Sequence, residues 1–306
     1  MEFIEELKLL KEQLKFTEKI DVPKGIDNIV IAGMGGSGIA GKIFSEFYTK
    51  LPVYIADDYN IPDYVSKTTL LVGMSYSGNT EETICAVKQG IEKGAHVVTV
   101  GTGGEIRKYG KQHVQIPDMG IQPRSATGWM LMPLINGFGA VKKEDIEEAI
   151  SAIAALDTNN NECLEVAKEI ANGDHIPVIY GSAPFKTIAY RWKMQFNENA
   201  KVLAYPASFP ELNHSDTMAL AKTYRKDNLY FIVFGSLTDK ISKRISVTAR
   251  ITNSKFRIVD PKGKSDFARM FHIFHYGDYV SYHLSAIRKV DPKDIALIEE
   301  LKKNLK

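Results

Sequence analysis

Apolar β-type runs alternate with segments of helical period along most of the chain from residue 28 onward. The runs "NIVIAG", "TTLLVGM" and "HVVTVG" are each followed by a segment of helical character. Such alternation predicts βαβ units, and therefore a parallel sheet covered by helices on both faces. We expect the first part of the chain to form an open, doubly wound α/β layer.

The same order of elements returns in the second half of the chain. A helical stretch from about 143 to 172 contains the polar break "DTNNNE", which is typical of a connector between two lobes. The runs "HIPVIYG", "NLYFIVFG" and "KFRIVD" then alternate with helical segments, and "VIYGSAP" weakly echoes "VIAGMGGSG". We predict two α/β domains, residues 1–150 and 151–306, with a hint of duplication.

The two ends of the chain lie outside this alternation. The segment "MEFIEELKLLKEQLKF" has apolar residues at helical spacing, which predicts a surface helix or a helix that packs on a partner subunit. The C-terminal segment predicts two more helices. We place Pro292 in the first turn of the last one, because proline suits that position.

Composition narrows the class of protein. The 306 residues suit two domains, and 44% hydrophobic with 25% charged residues is typical of globular proteins. A net charge of +2 does not favour nucleic acid or an anionic membrane surface. No stretch approaches the ~20 apolar residues of a membrane span, and the N-terminus is unlike a signal peptide. Cys85 and Cys163 fit neither a disulfide framework nor a zinc site. We therefore predict a cytoplasmic protein.

The stretch "VGMSYSGNTEET" lies where a predicted strand turns into a helix. The first amides of a helix are unpaired and carry the positive end of its dipole, so nearby hydroxyls complete a phosphate site. We predict Ser75, Ser77 and Thr80 as the hydroxyl donors, with Gly78-Asn79 allowing a tight turn. The alternative is simple capping of the helix by Thr80 or Asn79, with no ligand.

A second glycine-rich turn, "GMGGSGIAGK", also closes a strand and opens a helix. Its glycines have the GxGxxG spacing of a dinucleotide site, which leaves a nicotinamide cofactor as an alternative. Ser37 in this turn, together with the hydroxyl-rich turn of the neighbouring strand, favours one small phosphorylated ligand between the two loops. Together the two turns resemble the sugar isomerase (SIS) domain, a doubly wound module that holds phosphosugars.

Three further stretches carry chemically active groups. "QPRSATGW" puts Arg124 before a helix, "QFNENAK" ends a helix with Glu198, and "FPELNHSD" places His214 and Asp216 in a Pro-rich loop. Each residue alone has a common structural explanation, such as a surface salt bridge or a helix-end carboxylate. Together, an arginine, a carboxylate and an imidazole are what an aldose–ketose isomerisation needs: an anion stabiliser, a base and a ring-opening group.

The set "GMGGSG", "SYSGNT", "QPRSA", "FNENAK" and "PELNH" resembles the bifunctional phosphoglucose/phosphomannose isomerase family, made of two SIS domains, nearly end to end. The resemblance implies interconversion of glucose 6-phosphate, and of mannose 6-phosphate, with fructose 6-phosphate without a cofactor. It implies Glu198 as the base, Arg124 as the stabiliser of the cis-enediolate, and His214 as the ring-opening group, supplied by the partner subunit of a homodimer. The substrate phosphate would be held by Gly36, Ser37, Ser75, Ser77 and Thr80.

The family pattern also reaches the C-terminus. A lysine lies ten residues beyond a V-D-P turn, and counting from Pro292 gives Lys302, which the resemblance places near the ring oxygen or hydroxyls of the substrate. The alternative is a solvated lysine in a basic tail. Some members have threonine where this chain has Ile295, so the balance between glucose and mannose substrates stays open.

Metal binding and two other functions compete with the isomerase. His272 and His275, with Asp278 nearby, share one face of a predicted helix and could bind a metal, but we name no further ligand and favour packing with Phe271 and Phe274. The mechanism is therefore predicted to be metal-free. A non-catalytic sugar-phosphate sensor and a nicotinamide-dependent oxidoreductase are the competing functions.

Overall fold

A computed structural model describes residues 1–222 and 224–305. The chain forms two compact units, Met1–Ile146 and Glu147–Lys306. Each unit contains one parallel β-sheet with helices around it, so the predicted α/β class is confirmed in both halves. No helix in the described part of the chain is both long enough and apolar enough to cross a membrane.

The sheet of the first unit has five parallel strands in the order β2-β1-β3-β4-β5. Strand β3 is buried along its whole length, as expected for a parallel strand that is covered on both faces. The strand order reverses between β1 and β3, and ligands of open α/β sheets bind at the carboxyl ends of strands at such a point. The strands are β1 Asn28–Ala32, β2 Val53–Ala56, β3 Thr69–Met74, β4 His96–Gly101 and β5 Gln112–Gln115.

The helices of the first unit surround this sheet. Helix α3 begins directly after β1, and α4 begins a few residues after β3, so both begin at the carboxyl end of the sheet where the strand order reverses. Short 3-10 turns occupy Glu105–Lys108 and Pro123–Ser125. The helices are α1 Phe3–Lys8, α2 Leu10–Gln13, α3 Gly35–Phe47, α4 Glu81–Glu92 and α5 Thr127–Phe138.

The sheet of the second unit has four parallel strands in the order β7-β6-β8-β9. This order matches that of the first unit without a fifth strand, so the predicted repetition in outline is confirmed. The strands are β6 Ile176–Gly181, β7 Tyr205–Ser208, β8 Leu229–Phe234 and β9 Phe256–Val259. The remaining helices are α6 Lys143–Thr158, α7 Asn161–Asn172, α8 Lys186–Asn199, α9 Leu212–Lys222, α10 Asp239–Thr252, α11 Asp266–Arg288 and α12 Ala296–Asn304, with a 3-10 turn at Lys226–Asn228.

The N-terminal segment forms two short helices instead of one. Their apolar residues Phe3, Leu7, Leu10 and Leu14 are each no more than 5% exposed, and α2 packs on α5 of the same unit. The apolar face therefore has a partner within the unit. The surface-helix alternative is confirmed, and packing of this face on a partner subunit was wrong.

The predicted position of Pro292 needs correction. Pro292 is not in the first turn of the last helix, because α12 begins at Ala296. The carboxylates of Asp291 and Asp294 accept the N–H groups of Lys293 and Ala296 at 2.8 and 3.0 Å, and these bonds form a separate turn first.

His214 and Asp216 were predicted in a loop, but both lie in helix α9. The Pro210 carbonyl accepts the N–H of Asn213 at 3.1 Å, and the buried side chain of Leu212 anchors the first turn. The prolines of this stretch therefore precede a helix and do not prevent one.

Candidate active site

Helices α3 and α4 both begin without a side-chain cap. Their N-cap residues are Met34 and Thr80, and neither makes a side-chain hydrogen bond to the first turn of its helix. The Thr80 hydroxyl is instead 2.9 Å from that of Ser75. The capping alternative is thus wrong for Thr80. Uncapped helix N-termini beside hydroxyl groups are what phosphate groups bind in proteins.

The turn after β1 and the turn after β3 are joined directly. The Ser37 hydroxyl, in the first turn of α3, accepts a hydrogen bond from the backbone N–H of Tyr76 at 3.3 Å. Ser37 and Ser75 are 5% and 1% exposed, whereas Ser77 is exposed and its hydroxyl accepts the N–H of Asn79. The four predicted hydroxyl residues thus belong to one connected group of loops.

Gly78 and Asn79 fix this group on the turn that follows β4. Gly78 has a φ of +70°, and a Cβ at this position would overlap the backbone oxygen of Gly103. The Asn79 amide accepts the N–H of Glu105 at 3.0 Å and donates to the carbonyl of Ser77 at 3.1 Å, so Asn79 does not cap α4 either. Gly78 and Asn79 therefore hold the hydroxyl-bearing turn against the turn that follows β4.

Replacing Gly78 by alanine is expected to lower the free energy of unfolding by roughly 2–5 kcal/mol, because backbone strain and a backbone overlap add together. Gly94 is the matched control. Its φ is +76°, but no atom lies within 4 Å of the added Cβ, so Gly94→Ala should cost only about 1 kcal/mol. Urea denaturation of both variants measures the difference. Equal losses would show that the Gly103 turn does not support Gly78.

Arg124 lies in a 3-10 turn and is only 6% exposed. Its Nη1 donates to Oε1 of Gln122 at 3.1 Å, and its guanidinium carbon lies 5.6 Å from the centre of the Phe3 ring. A Cβ on Gly36 would come within 2.8 Å of the Pro123 oxygen and 2.9 Å of the Arg124 Cα. Glycine at position 36 therefore allows the N-terminus of α3 and the Arg124 segment to meet.

Two buried polar residues of the N-terminal helices hold the Arg124 segment. The Glu6 carboxylate accepts the N–H of Gln122 at 3.0 Å. The Gln13 amide donates to the Ser125 carbonyl at 2.6 Å and accepts the N–H of Gly128 at 2.9 Å. Glu6 and Gln13 are fully buried, and sequence reasoning missed both. In the sequence, these two residues are marked only as polar residues on the apolar face of an amphipathic helix.

Glu198 is the penultimate residue of α8 and is half-buried. It lines a cavity of about 450 Å³ in the second unit, formed by the end of α8 and the segment that leads into α12. Ile295 lines the same cavity. The structure thus brings together the predicted base and the position that the family resemblance links to substrate preference.

His214 and Lys302 occupy other positions. Both are exposed, in α9 and α12 respectively, and neither lines the cavity of Glu198. Within residues 1–222 and 224–305, the His214 side chain forms no hydrogen bond or ion pair. The chain by itself therefore does not bring the predicted ring-opening group to the predicted base.

A buried charge network anchors the helix that carries Glu198. Arg191 of α8 contacts Asp278 of α11 at 2.8 Å, and both side chains are at most 4% exposed. His275 lies between two carboxylates, at 2.8 Å from Asp157 and 3.3 Å from Asp278. The network ties the middle of α8 to α11, two turns before Glu198.

Burial and charge act in opposite directions on these groups. Burial alone would lower the pKa of His275, but hydrogen bonds to Asp157 and Asp278 raise it. Burial alone would raise the pKa of Asp278, but the charge of Arg191 and the hydrogen bond to His275 lower it. The charged forms of both groups are therefore favoured in the folded protein.

One of the two predicted histidines of α11, His275, has different surroundings from those predicted. His275 is held by two carboxylates, so its assignment to packing with phenylalanines was wrong. His272 contacts the ring of Tyr276, and burial lowers the pKa of His272 to about 4. Among the described residues, no group of three or more His, Cys, Asp and Glu side chains is arranged to hold a metal ion.

The structure of this chain is similar to solved structures of phosphosugar proteins. A glucose-6-phosphate isomerase from Chlamydia trachomatis superposes with a TM-score of 0.73 at 16% identity, covering 98% of this chain and 72% of the other. At this level of identity the likeness concerns the fold alone. It supports the assignment of both units to the α/β class.

Sequence comparison gives a much closer match. The family described as "Bacterial phospho-glucose isomerase C-terminal SIS domain" matches residues 159–305. The bifunctional phosphoglucose/phosphomannose isomerase of Thermoplasma volcanium is 53% identical over 305 residues, covering 100% of both chains. The protein of the same name from Thermoplasma acidophilum is 52% identical, covering 100% of this chain and 98% of its own. The chain therefore belongs to the bifunctional phosphoglucose/phosphomannose isomerase family.

Proposed function

We propose that this protein interconverts glucose 6-phosphate, and also mannose 6-phosphate, with fructose 6-phosphate. The observation that carries the proposal is the pair of uncapped helix N-termini, α3 and α4, joined through Ser37 and surrounded by hydroxyl groups. The names of its close relatives support the same substrates. Family membership disfavours a nicotinamide-dependent oxidoreductase.

The substrate phosphate binds at the two turns in this proposal. Phosphate is a dianion near neutral pH, and helix amides with hydroxyl donors neutralise it without a full positive charge. Ser75 and Thr80 support this role because their hydroxyls already lie 2.9 Å apart at the start of α4. The proposed phosphate ligands are Gly36, Ser37, Ser75, Ser77 and Thr80.

The proposed chemistry is a proton transfer through an enediolate. After His214 has opened the ring, Glu198 removes the proton from C2 of the aldose. The electron pair forms a C1–C2 double bond, and Arg124 stabilises the negative charge on O1. A proton moves from O2 to O1, Glu198 returns its proton to C1, and the carbonyl is now at C2. Lys302 hydrogen-bonds the substrate.

Dual specificity follows from the intermediate. The enediolate and the ketose have no stereochemistry at C2, so glucose and mannose 6-phosphate lead to the same intermediate. One base serves both epimers if the substrate presents either face of C2. A fixed carboxylate and a guanidinium supply the base and the charge that this route needs, and we therefore propose that it proceeds without a metal.

We further propose a cytoplasmic homodimer that binds no nucleic acid, in which His214 reaches the active site of the partner subunit. The exposure of His214, and its lack of a hydrogen bond within the described chain, support this placement. Sedimentation of the active protein as a monomer would contradict it.

The experiment that tests this function is a coupled assay of chelator-treated protein with glucose 6-phosphate and mannose 6-phosphate in parallel, detecting fructose 6-phosphate. Turnover of both substrates is expected. If neither reacts but both raise the melting temperature, the protein is a sugar-phosphate sensor and the enzyme proposal fails. Loss of activity on chelation, restored by added metal, would refute the metal-free route.

Replacing Ile295 by threonine is expected to raise mannose 6-phosphate turnover relative to glucose 6-phosphate, by about tenfold for one added hydrogen bond of about 1.4 kcal/mol. Ile295 lines the cavity of Glu198, so a hydroxyl there can contact the substrate near C2. Ile295→Val is the control, because it has nearly the shape of threonine without the hydroxyl. If both variants change the ratio equally, side-chain size controls preference and the hydroxyl does not.

A further inference from the structure

Lys201 connects the end of helix α8 to the turn that precedes α12. Its ammonium nitrogen donates hydrogen bonds to three backbone carbonyl oxygens: Glu198 at 2.6 Å, Asp291 at 2.8 Å and Asp294 at 2.9 Å. An ammonium group has three N–H donors, so it can satisfy all three acceptors at once. One of the three belongs to the backbone of the proposed catalytic base.

The backbone at Lys201 has the form of a helix C-terminal cap. Its φ is +55°, and the next residue, Val202, donates its N–H to the carbonyl of Phe196 at 3.0 Å. Glycine is the usual residue in this left-handed position, because a Cβ is unfavourable there. The left-handed backbone conformation is unfavourable for lysine. The positive charge of its side chain, however, lies at the negative end of the helix dipole, which is favourable.

The other side of the connection leads directly into α12. The Asp291 and Asp294 side chains order the turn by accepting the N–H groups of Lys293 and Ala296. The Ile295 carbonyl then accepts the N–H of Ile298 at 2.9 Å and begins the helix. Helix α12 has no buried residue, so packing contributes little to its position.

From this arrangement we propose that Lys201 is a positioning residue: it fixes the C-terminal segment, with Ile295 and Lys302, against the end of the helix that carries Glu198. The cavity of about 450 Å³ is lined by residues from both sides of this connection, including Lys201 itself. The role of Lys201 in catalysis rests on the proposed function of Glu198. The hydrogen bonds that join Lys201 to the turn before α12 do not depend on that function.

Loss of the ammonium releases the turn at 291–294 from α8. The C-terminal segment then samples other positions, and the groups around the reacting carbons are no longer held together. Small misplacements of such groups reduce rates strongly, and we expect kcat/KM to fall roughly 10- to 100-fold. The turns after β1 and β3, which carry the proposed phosphate ligands, belong to the first unit. The inhibition constant of inorganic phosphate should therefore not change.

The test compares Lys201→Met with Lys186→Met in the full-length protein. Both lysines are exposed, and Lys186 lies at the other end of the same helix. Hydrogen exchange of peptides from residues 289–305, steady-state kinetics and the inhibition constant of inorganic phosphate are measured for each. Lys201→Met should exchange faster in 289–305 and lose kcat/KM, with phosphate inhibition unchanged. Lys186→Met should match the wild type.

Each contrary outcome overturns a defined part of the inference. Unchanged exchange in 289–305 means that Lys201 does not hold the segment. Faster exchange with normal kcat/KM means that it holds the segment but does not position the active site. If the wild-type protein isomerises neither substrate, the proposed function fails, and the exchange comparison alone still decides whether Lys201 holds the C-terminal segment.

Discussion

Replacing Glu198 by glutamine is expected to reduce the isomerisation of both sugar phosphates by about 10³-fold, because the amide cannot accept the C2 proton. Inorganic phosphate should still inhibit the residual activity with an unchanged constant, since its proposed ligands lie in the first unit. The measurement is a coupled assay of the purified variant with each substrate. Exchange of the C2 hydrogen of glucose 6-phosphate with solvent deuterium should be lost in parallel.

Glu165→Gln is the matched control for this variant. Glu165 is an exposed glutamate of α7 that pairs with Lys168 three residues later, and it has no proposed part in the reaction. Its replacement should leave the rate unchanged. Near-normal turnover by Glu198→Gln would show that Glu198 is not the base.

Replacing Asp278 by asparagine is expected to lower the free energy of unfolding by about 3–5 kcal/mol, because it leaves Arg191 buried without its carboxylate partner. Gln195 also donates to this carboxylate, so a second polar group loses a charged acceptor. Urea denaturation followed by circular dichroism measures the loss. Glu165→Gln again serves as control, and removal of its exposed ion pair should cost less than about 1 kcal/mol.

The same variant should change how stability depends on pH. The raised pKa of His275 gives stability that is present below its unfolded-state pKa and is lost as pH rises through its folded-state pKa. The lowered pKa of Asp278 gives stability that is present above its unfolded-state pKa and is lost as pH falls through its folded-state pKa. The asparagine variant should lose the acidic part of this dependence. An unchanged profile would show that Asp278 does not stabilise the folded protein through its charge.

Strong local patterns allowed most of the fold to be predicted. Strands β1 and β3 are continuous apolar runs followed by glycine- or hydroxyl-rich turns, so their type and their parallel arrangement could be inferred. Strands β2, β5 and β7 were not predicted. Each is four residues long and lies at the edge of a sheet, and β7 contains Pro206, which is tolerated there but weakens the pattern.

The local structure of the turns that carry the proposed phosphate ligands was predictable to a similar extent. Ser37, Ser75 and Thr80 stand out because short turns carry their signal locally. The support of Arg124 by Glu6 and Gln13 was not predictable, because it depends on contacts between residues more than 100 positions apart. Asp278 was noted beside His275, but Asp157 and Arg191 were missed because they lie on other helices, 118 and 87 positions from the α11 residues that they contact.

The separation between Gln13 and its partners also has a consequence for synthesis of the chain. Gln13 bonds to residues 112 and 115 positions later, so helices α1 and α2 leave the ribosome long before their binding surface exists. Domains fold as units during translation, and the amino end of this one must wait for the Arg124 segment. In the nascent polypeptide, α1 and α2 are thus synthesised before the other elements of their unit and are among the last of these elements to reach their final positions.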